Sequence, residues 1–300
     1  MAKKDTATNQ EVASKYGMSY AVIQSDPQLA KWFSDFAARY AAAHGKISQQ
    51  TFTLELQQQP WWKQHSATYI ADVQQELDNP ADYAQALQSS VSSVQAAADQ
   101  MGARLSPQDA TDLAKQAKRF GWNAQQMQAA LAKYVTANPA SDYLDYEGDA
   151  GATQDKLASW AHANGLGLSD SMVSGYINQI AAGKTTLDEV KSDLRKTYMA
   201  GAFPAWADKI NAGMDIADIA TPYKSTMANL LEIDDSAIDF NDPLLAAGLQ
   251  SVNKDGQPQV MPLYQYQNLV RKDPRWQKTD NAYATYAGVA SDILGTWGFR

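Results

Sequence analysis

The sequence predicts an all-α protein, and three observations carry that expectation: apolar residues recur at spacings of three and four, Ser or Asp followed by Pro opens many runs, and Gly closes them. The fold expected is a multi-helix body with internally repeated αα-hairpins and Pro-x-Trp helix corners, plus one short β-ribbon near 250–262.

Met1 to Gln10 carries lysines with no apolar core behind them, so it reads as an arm over 1–24 and not as a secretory signal. Ser25, Asp26 and Pro27 then cap a helix with Leu29, Trp32, Phe33, Phe36 and Tyr40, which His44 and Gly45 end. Ser48 opens the next, carrying Phe52 and Leu56. Pro60 limits it, because proline lacks an amide donor and biases Gln59 away from helical ψ. Beyond the break, Trp62, Tyr69, Val73 and Leu77 form a third run, stopped at Asp78, Asn79 and Pro80. Tyr83, Leu87, Val91, Val94, Ala98 and Met101 make the cleanest stripe, one face of a long helix. Ser106 and Asn123 cap the two helices that follow, with Gly121 between them, which completes a helical half over 25–135.

Residues 136–152 lose the periodicity and collect Asn138, Pro139, Asp142, Asp145, Glu147, Gly148, Asp149 and Gly151, so they read as a linker. The second helical half, 153–300, opens with Leu157 and Trp160. Ser169 caps a run with Val173, Tyr176 and Ile177, and Thr186 with Glu189 forms a capping box. Shorter pieces are expected around Trp206–Ile210, Ile216–Ile219 and Met227–Leu231. Asn253 to Gly256 reads as a hairpin turn. A last long helix after Pro274 carries Trp276, Tyr283, Val289, Ile293, Leu294 and Trp297.

Two internal offsets organise these runs. At 214 residues, Phe52 matches Tyr266, Pro60 matches Pro274, Trp62 matches Trp276 and Tyr69 matches Tyr283 without a gap. Each copy is helix, proline, tryptophan, helix, so these eight residues are expected as structural anchors, with Trp62 and Trp276 filling matched corners. At 63 residues, Val94 matches Leu157, Ala98 matches Ala161, Gly102 matches Gly165, Ser106 matches Ser169 and Leu131 matches Leu194.

Composition removes whole classes of chemistry. The 300 residues contain no cysteine, so thiol catalysis, disulfides and Cys-based metal sites are excluded. A net charge of −8 argues against a general nucleic-acid binder held by phosphate contacts, though it leaves room for a local basic patch, and no sequence-specific nucleic-acid partner is expected. No stretch approaches the 18 or so uninterrupted apolar residues of a membrane span. The surface chemistry is unusual, with 28 Gln and 27 Asp against 6 Glu, and suits a protein that spends its life against other protein. Of three histidines, His44 and His65 lack a carboxylate at helical spacing, and no phosphate loop or nucleophile elbow is present. No catalytic residue, metal or cofactor is expected. Asp142, Asp145, Glu147 and Asp149 break the Ca²⁺-loop spacing and read as solvated linker, and Asp234 to Asp242 reads as turns and caps. Glu55, near two tryptophans, is the only Glu in an aromatic-rich setting where a raised pKa, and hence glycoside cleavage, is to be weighed, but it reads first as a helix-surface carboxylate. Its counterpart at the 214 offset is Leu269.

The run from Phe52 through Pro60 to Trp62 resembles helical proteins of the virion modules of tailed bacteriophages, particularly those of actinobacterial hosts. So do the segment from Gly213 to Tyr223 with Met227 and Leu230 to Glu232, and the stretch from Arg271 to Trp276 with Thr279, Asn281, Ala282 and Trp297 to Phe299. Tyr16 to Met18 and Ser25 to Pro27 fit as well, so the resemblance runs from about residue 16 onward. It implies a minor virion component, tail-associated or internal, partnered by other tail or neck proteins and by copies of itself. The alternative it implies is an ejected internal protein that helps penetrate the cell wall. Cell-wall-acting domains, sometimes fused to such proteins, have no counterpart here, and the matched positions are architectural.

Overall fold

The computed structural model describes residues 2–296, and the side chains of 9–294 and 296. It is all-α, and the chain divides into two compact units, 1–150 and 151–300.

In the first unit, α1 (Ala2–Lys15) and α2 (Tyr20–Gln24) precede α3 (Pro27–Ala42), α4 (Gln49–Gln57), α5 (Pro60–Gln64) and α6 (Ala67–Asp78). The N-terminal stretch is therefore not an arm. Val12, Ala13, Tyr16 and Ile23 present an apolar face that the polar residues around them obscure in the sequence. That face is buried with Leu29, Phe33, Phe36 and Phe52. Tyr16 stacks on Phe52 at 4.5 Å between ring centroids, and its hydroxyl donates to the Ile47 carbonyl at 2.8 Å. Asp26 caps α3 by accepting from the amides of Gln28 and Leu29, with Pro27 at the first helical position.

The long α7 (Pro80–Met101) packs along α8 (Pro107–Phe120), which also packs on α6; α9 (Ala124–Leu131) follows. An ion network joins α6 to α8. Asp72, 4% exposed, accepts from Lys118 at 2.7 Å and lies 3.4 Å from Arg119, while Glu76 pairs with Lys115 and Arg119. A buried carboxylate is tolerated only with such partners. The Tyr83 hydroxyl adds a 3.0 Å bond to Asp72, and burial, then that bond, push its phenol well above the ordinary value. Tyr83→Phe should lower unfolding free energy by about 1–2 kcal/mol, measured by urea titration, since Asp72 keeps its two cations.

Residues 136–147 are irregular, and the Asn138 amide donates to the Asp145 carbonyl at 2.7 Å. The expected linker ends early, because Gly148 starts α10 (Gly148–Ala163), the helix that carries the boundary between units. Its first residue is pressed against the end of α7. A Cβ on Gly148 would lie 2.4 Å from the Gln100 carbonyl oxygen, and one on Gly102 would lie 2.0 Å from that of Glu147. Both have positive φ, which glycine adopts without penalty.

In the second unit come α11 (Asp170–Ala181), α12 (Leu187–Leu194), a π-helical turn at Arg195–Met199, α13 (Ala200–Ala202) and α14 (Ala207–Asn211). Next, α15 (Ile216–Leu231) is continuous where two short pieces were expected; the helix runs through Pro222, which lies exposed. Ile216, Ile219, Ala220, Tyr223, Met227 and Leu231 form its buried stripe, so packing overrides the helix-breaking tendency of a single proline. α16 (Pro243–Leu249) and α17 (Leu263–Val270) pack on α15, and α18 (Asp280–Thr296) is the last described helix. Close approach is needed at Gly248, where a Cβ would lie 2.7 Å from the Tyr266 ring. The expected β-ribbon is a single antiparallel bridge, Val252 to Pro258.

At the 63-residue offset several matched positions share a cap or a burial state, although Leu113 is buried and its match Tyr176 only half-buried. Gly102 and Gly165 end helices in the left-handed conformation, and Ser106 and Ser169 cap the next. Asn123 opens α9 and Thr186 opens α12 with reciprocal capping boxes, each helix having 8 residues. Ala110, Ala114 and Leu131 are buried, as are Val173, Ile177 and Leu194.

Candidate functional site

The two proline corners were the features expected to organise the molecule, and they differ. In the first, Pro60 occupies the opening position of α5, and Ser66 caps α6 by accepting from the Tyr69 amide. Phe52 is buried at 2% exposure, but Trp62 and Tyr69 are only half-buried. Trp62 lies at the edge of the aromatic core beside Trp61, and Tyr69 is sandwiched near His65 and Phe120, at 4.2 and 5.7 Å between centroids.

In the second corner, Pro274 precedes a 3₁₀ turn at Trp276–Lys278, so Trp276 stands before the last helix and not within it. Trp276 is 5% exposed and Tyr266 fully buried. The Thr279 hydroxyl donates to the Trp276 carbonyl at 2.7 Å and accepts from the Ala282 amide at 3.1 Å, fixing the start of α18. Tyr283, expected as an anchor, is 78% exposed and anchors nothing within the described chain. The matched pattern placed the core-facing residue one step wrong: Ala282 is the buried one. Trp297 lies outside the described residues.

An ion cluster that the sequence reading missed clamps this corner. Arg275 donates to Asp242 at 2.8 and 3.3 Å and to Asp273 at 3.0 and 3.1 Å. Its only sequence signal was Asp242 and Asp273, each just before a proline. The bond from Arg275 holds the Asp273 carboxyl below the ordinary aspartate value. Burial pushes Asp242 up, but Arg275 and the Leu244 amide outweigh it, so Asp242 is also lowered. A carboxyl with a depressed folded-state pKa contributes stability that is complete above its unfolded value, near 3.8, and is lost as pH falls through the folded value. The stability difference between the wild-type chain and Arg275→Gln should therefore be constant at neutral pH and shrink below about pH 4. Denaturant titrations across that range measure it.

The chemistry-bearing candidates are committed elsewhere. Both carboxylate oxygens of Glu55 are bonded by Arg39. That guanidinium holds the Glu55 carboxyl below the ordinary glutamate value, the reverse of the raised pKa a general acid needs, in line with the reading of Glu55 as a helix-surface carboxylate. His65 Nδ1 lies 2.7 Å from the Trp61 carbonyl, and His44 is exposed at the end of α3. Glu147 pairs with Arg104 at 2.6 Å, while Asp234 and Asp242 cap turns and helices. Among the described residues, no three His, Asp or Glu side chains converge to hold a metal ion.

One open cleft of about 540 Å³ lies in the second unit, lined by His162, Gly165, Lys224, Asp235, Ser236 and Phe240 among others. Lys224 Nζ sits 4.8 Å from the centre of the Phe240 ring. The Ser236 hydroxyl donates to Asp234 at 2.5 Å, which leaves it bonded to a carboxylate and not to His162. The cleft thus has mixed polar walls without a paired nucleophile and base.

Among the described residues, one helix presents an exposed apolar face. Tyr283, Tyr286, Val289, Ile293 and Leu294 of α18 are all exposed. Four of them, Tyr283, Val289, Ile293 and Leu294, are among the apolar residues the sequence assigns to the last long helix. Comparison of the chain with protein-family models, with curated proteins and with solved structures found no match.

Proposed function

We propose that this protein is a structural and assembly component of a tailed-phage virion, associated with the tail, that acts by packing against other virion proteins and against copies of itself. The observation that carries this reading is the exposed apolar face of α18, a surface of a kind that folded monomers keep small and interaction surfaces use. The sequence resemblance to phage virion-module proteins, from residue 16 onward, supplies the particle. The Gln-, Ser- and Ala-rich surface supports it too, since such side chains cover a helix without the charge that resists burial. Among the described residues, no helix is long and apolar enough to cross a membrane. On this reading the protein is not an enzyme, needs no cofactor and has no sequence-specific nucleic-acid contact.

Antibody against the purified chain, applied to intact particles and viewed by electron microscopy, tests the placement. Label along or at one end of the tail is expected. Label confined to the capsid overturns the tail assignment, and particles without label after mild disruption overturn virion membership.

A further inference from the structure

Among the described residues, the contacts that fasten α18 lie at its beginning. The Glu232 carboxylate accepts from the amides of Asp280 and Asn281 at 2.9 and 2.8 Å, and the Asn281 side chain donates to the Asn229 carbonyl at 2.9 Å. Ala282 is buried, and Tyr286 meets Trp276 edge-on at 5.7 Å. From Tyr283 to Leu294, every side chain is exposed.

Those side chains are sorted by face. At 100° per residue, Tyr283, Tyr286, Val289, Ile293 and Leu294 fall in one sector with Ala287 and Ala290. Thr285, Gly288, Ser291 and Asp292 fall in the other. Tyr283, Tyr286, Ala290 and Ile293 step by three, four and three, the spacing by which one helix lies along another. An isolated exposed stripe with that period fits a helical occupant.

Charge narrows the choice of occupant. Helices that lie on membranes carry Lys or Arg on their polar face, whereas Asp280 and Asp292 are the only charged residues of α18. The same absence of cations excludes a phosphate backbone. Among helical occupants, charges beside the seam select the partner. Here the flanking positions within the stripe are Ala287, Val289 and Leu294, Asp292 sits away from the seam, and Asp280, on the same flank as Ala287, lies before the stripe begins at Tyr283, so the stripe itself brings no like charges together in a pair of copies. The area is sufficient: the two tyrosines and three aliphatic side chains of the stripe are 46–78% exposed, and with about 150–250 Å² for a covered aromatic and less for an aliphatic one, the exposed portions amount to roughly 500 Å² per copy. A symmetric pair would then cover about 1,000 Å², the lower bound of a specific interface. We propose that α18 pairs along this stripe with the α18 of a second copy. This rests on the assembly reading and names one of its partners.

The absence of cysteine makes the test direct, because one introduced thiol is the only thiol. Ala290 lies near the middle of the stripe: it meets its own counterpart in a parallel pair, and in an antiparallel pair it faces Tyr286 and lies about 6 Å along the axis from its counterpart, near enough for helix motion to bring the two thiols together. Full-length Ala290→Cys should oxidise mostly to a dimer at micromolar concentration, while Thr285→Cys, on the opposite face, should not. Adding Ile293→Asp to Ala290→Cys should cut the cross-linked yield at least tenfold and shift sedimentation to the monomer, with helix content by circular dichroism unchanged. A wild-type chain that sediments as a monomer at roughly 100 µM, well above a micromolar Kd, overturns the proposal. Equal cross-linking from both faces overturns it as well. A monomer whose Ala290→Cys thiol is shielded only on mixing with a different particle protein assigns the stripe to that protein instead. In the first and last cases, finding the chain in particles leaves the assembly reading standing while self-pairing falls.

Discussion

Gly148→Ala is expected to destabilise the protein by about 4 kcal/mol or more, a large part of the total stability of an ordinary domain. Two effects act at one atom. The backbone at Gly148 has a φ of +56°, where a side chain costs about 1–2 kcal/mol. The added methyl would also lie 2.4 Å from the Gln100 carbonyl oxygen, 2.6 Å from the Gly102 amide nitrogen and 2.7 Å from the Asp99 carbonyl oxygen. All three are backbone atoms at the end of a helix, so no rotamer change relieves the contact. The junction is crowded for a reason: Ala103 bridges to Val135 and Arg104 pairs with Glu147 here, which sets the start of α10 against the end of α7. Gly175→Ala is the control. Gly175 lies inside α11 with nothing near its missing Cβ, so alanine there should stabilise by about 0.5–1 kcal/mol. Urea unfolding of both variants reads the contrast.

Trp276→Ala should cost about 3–5 kcal/mol, the range for deleting a large buried aromatic, whereas Trp62→Ala should cost about 1–2 kcal/mol. The difference comes from burial and not from residue type. Trp276 sits in the core with Tyr266, Val270 and Ala282, while Trp62 rests on the rim of the first unit's aromatic cluster. Trp276→Phe separates packing from polarity. Among the described residues the buried indole N–H of Trp276 has no partner, so phenylalanine removes an unsatisfied donor along with part of the ring, and most of the stability should remain. Thermal and urea unfolding of the three variants measure this. Equal losses at Trp62 and Trp276 would restore the view of two matched anchors.

The local structure was legible because its causes are local. Ser106, Asn123, Ser169 and Thr186 each satisfy an amide within three residues, so the caps could be read before any packing was known. The continuity of α15 through Pro222 was not legible, since its buried stripe draws on α16 and α17, from elsewhere in the chain. Nor was the unequal burial of Trp62 and Trp276: identical corners look alike until what covers them is known. The same limit explains α18. A stripe of Tyr, Val, Ile and Leu has one pattern whether it faces its own core or a partner. Tyr16 and Ile23 show the opposite case, a buried face hidden among polar neighbours. Among candidate site residues, only the partner of Glu55 decided its chemistry, and Arg39 lies 16 residues away on another helix.

The central claim, that this chain works as a part of a virion, is tested most directly by absolute quantification of its peptides in purified particles by mass spectrometry. The result predicted is a fixed number of several copies per particle, in constant ratio to tail proteins across preparations and retained after high-salt washing. A chain abundant in infected cells but missing from washed particles would contradict it.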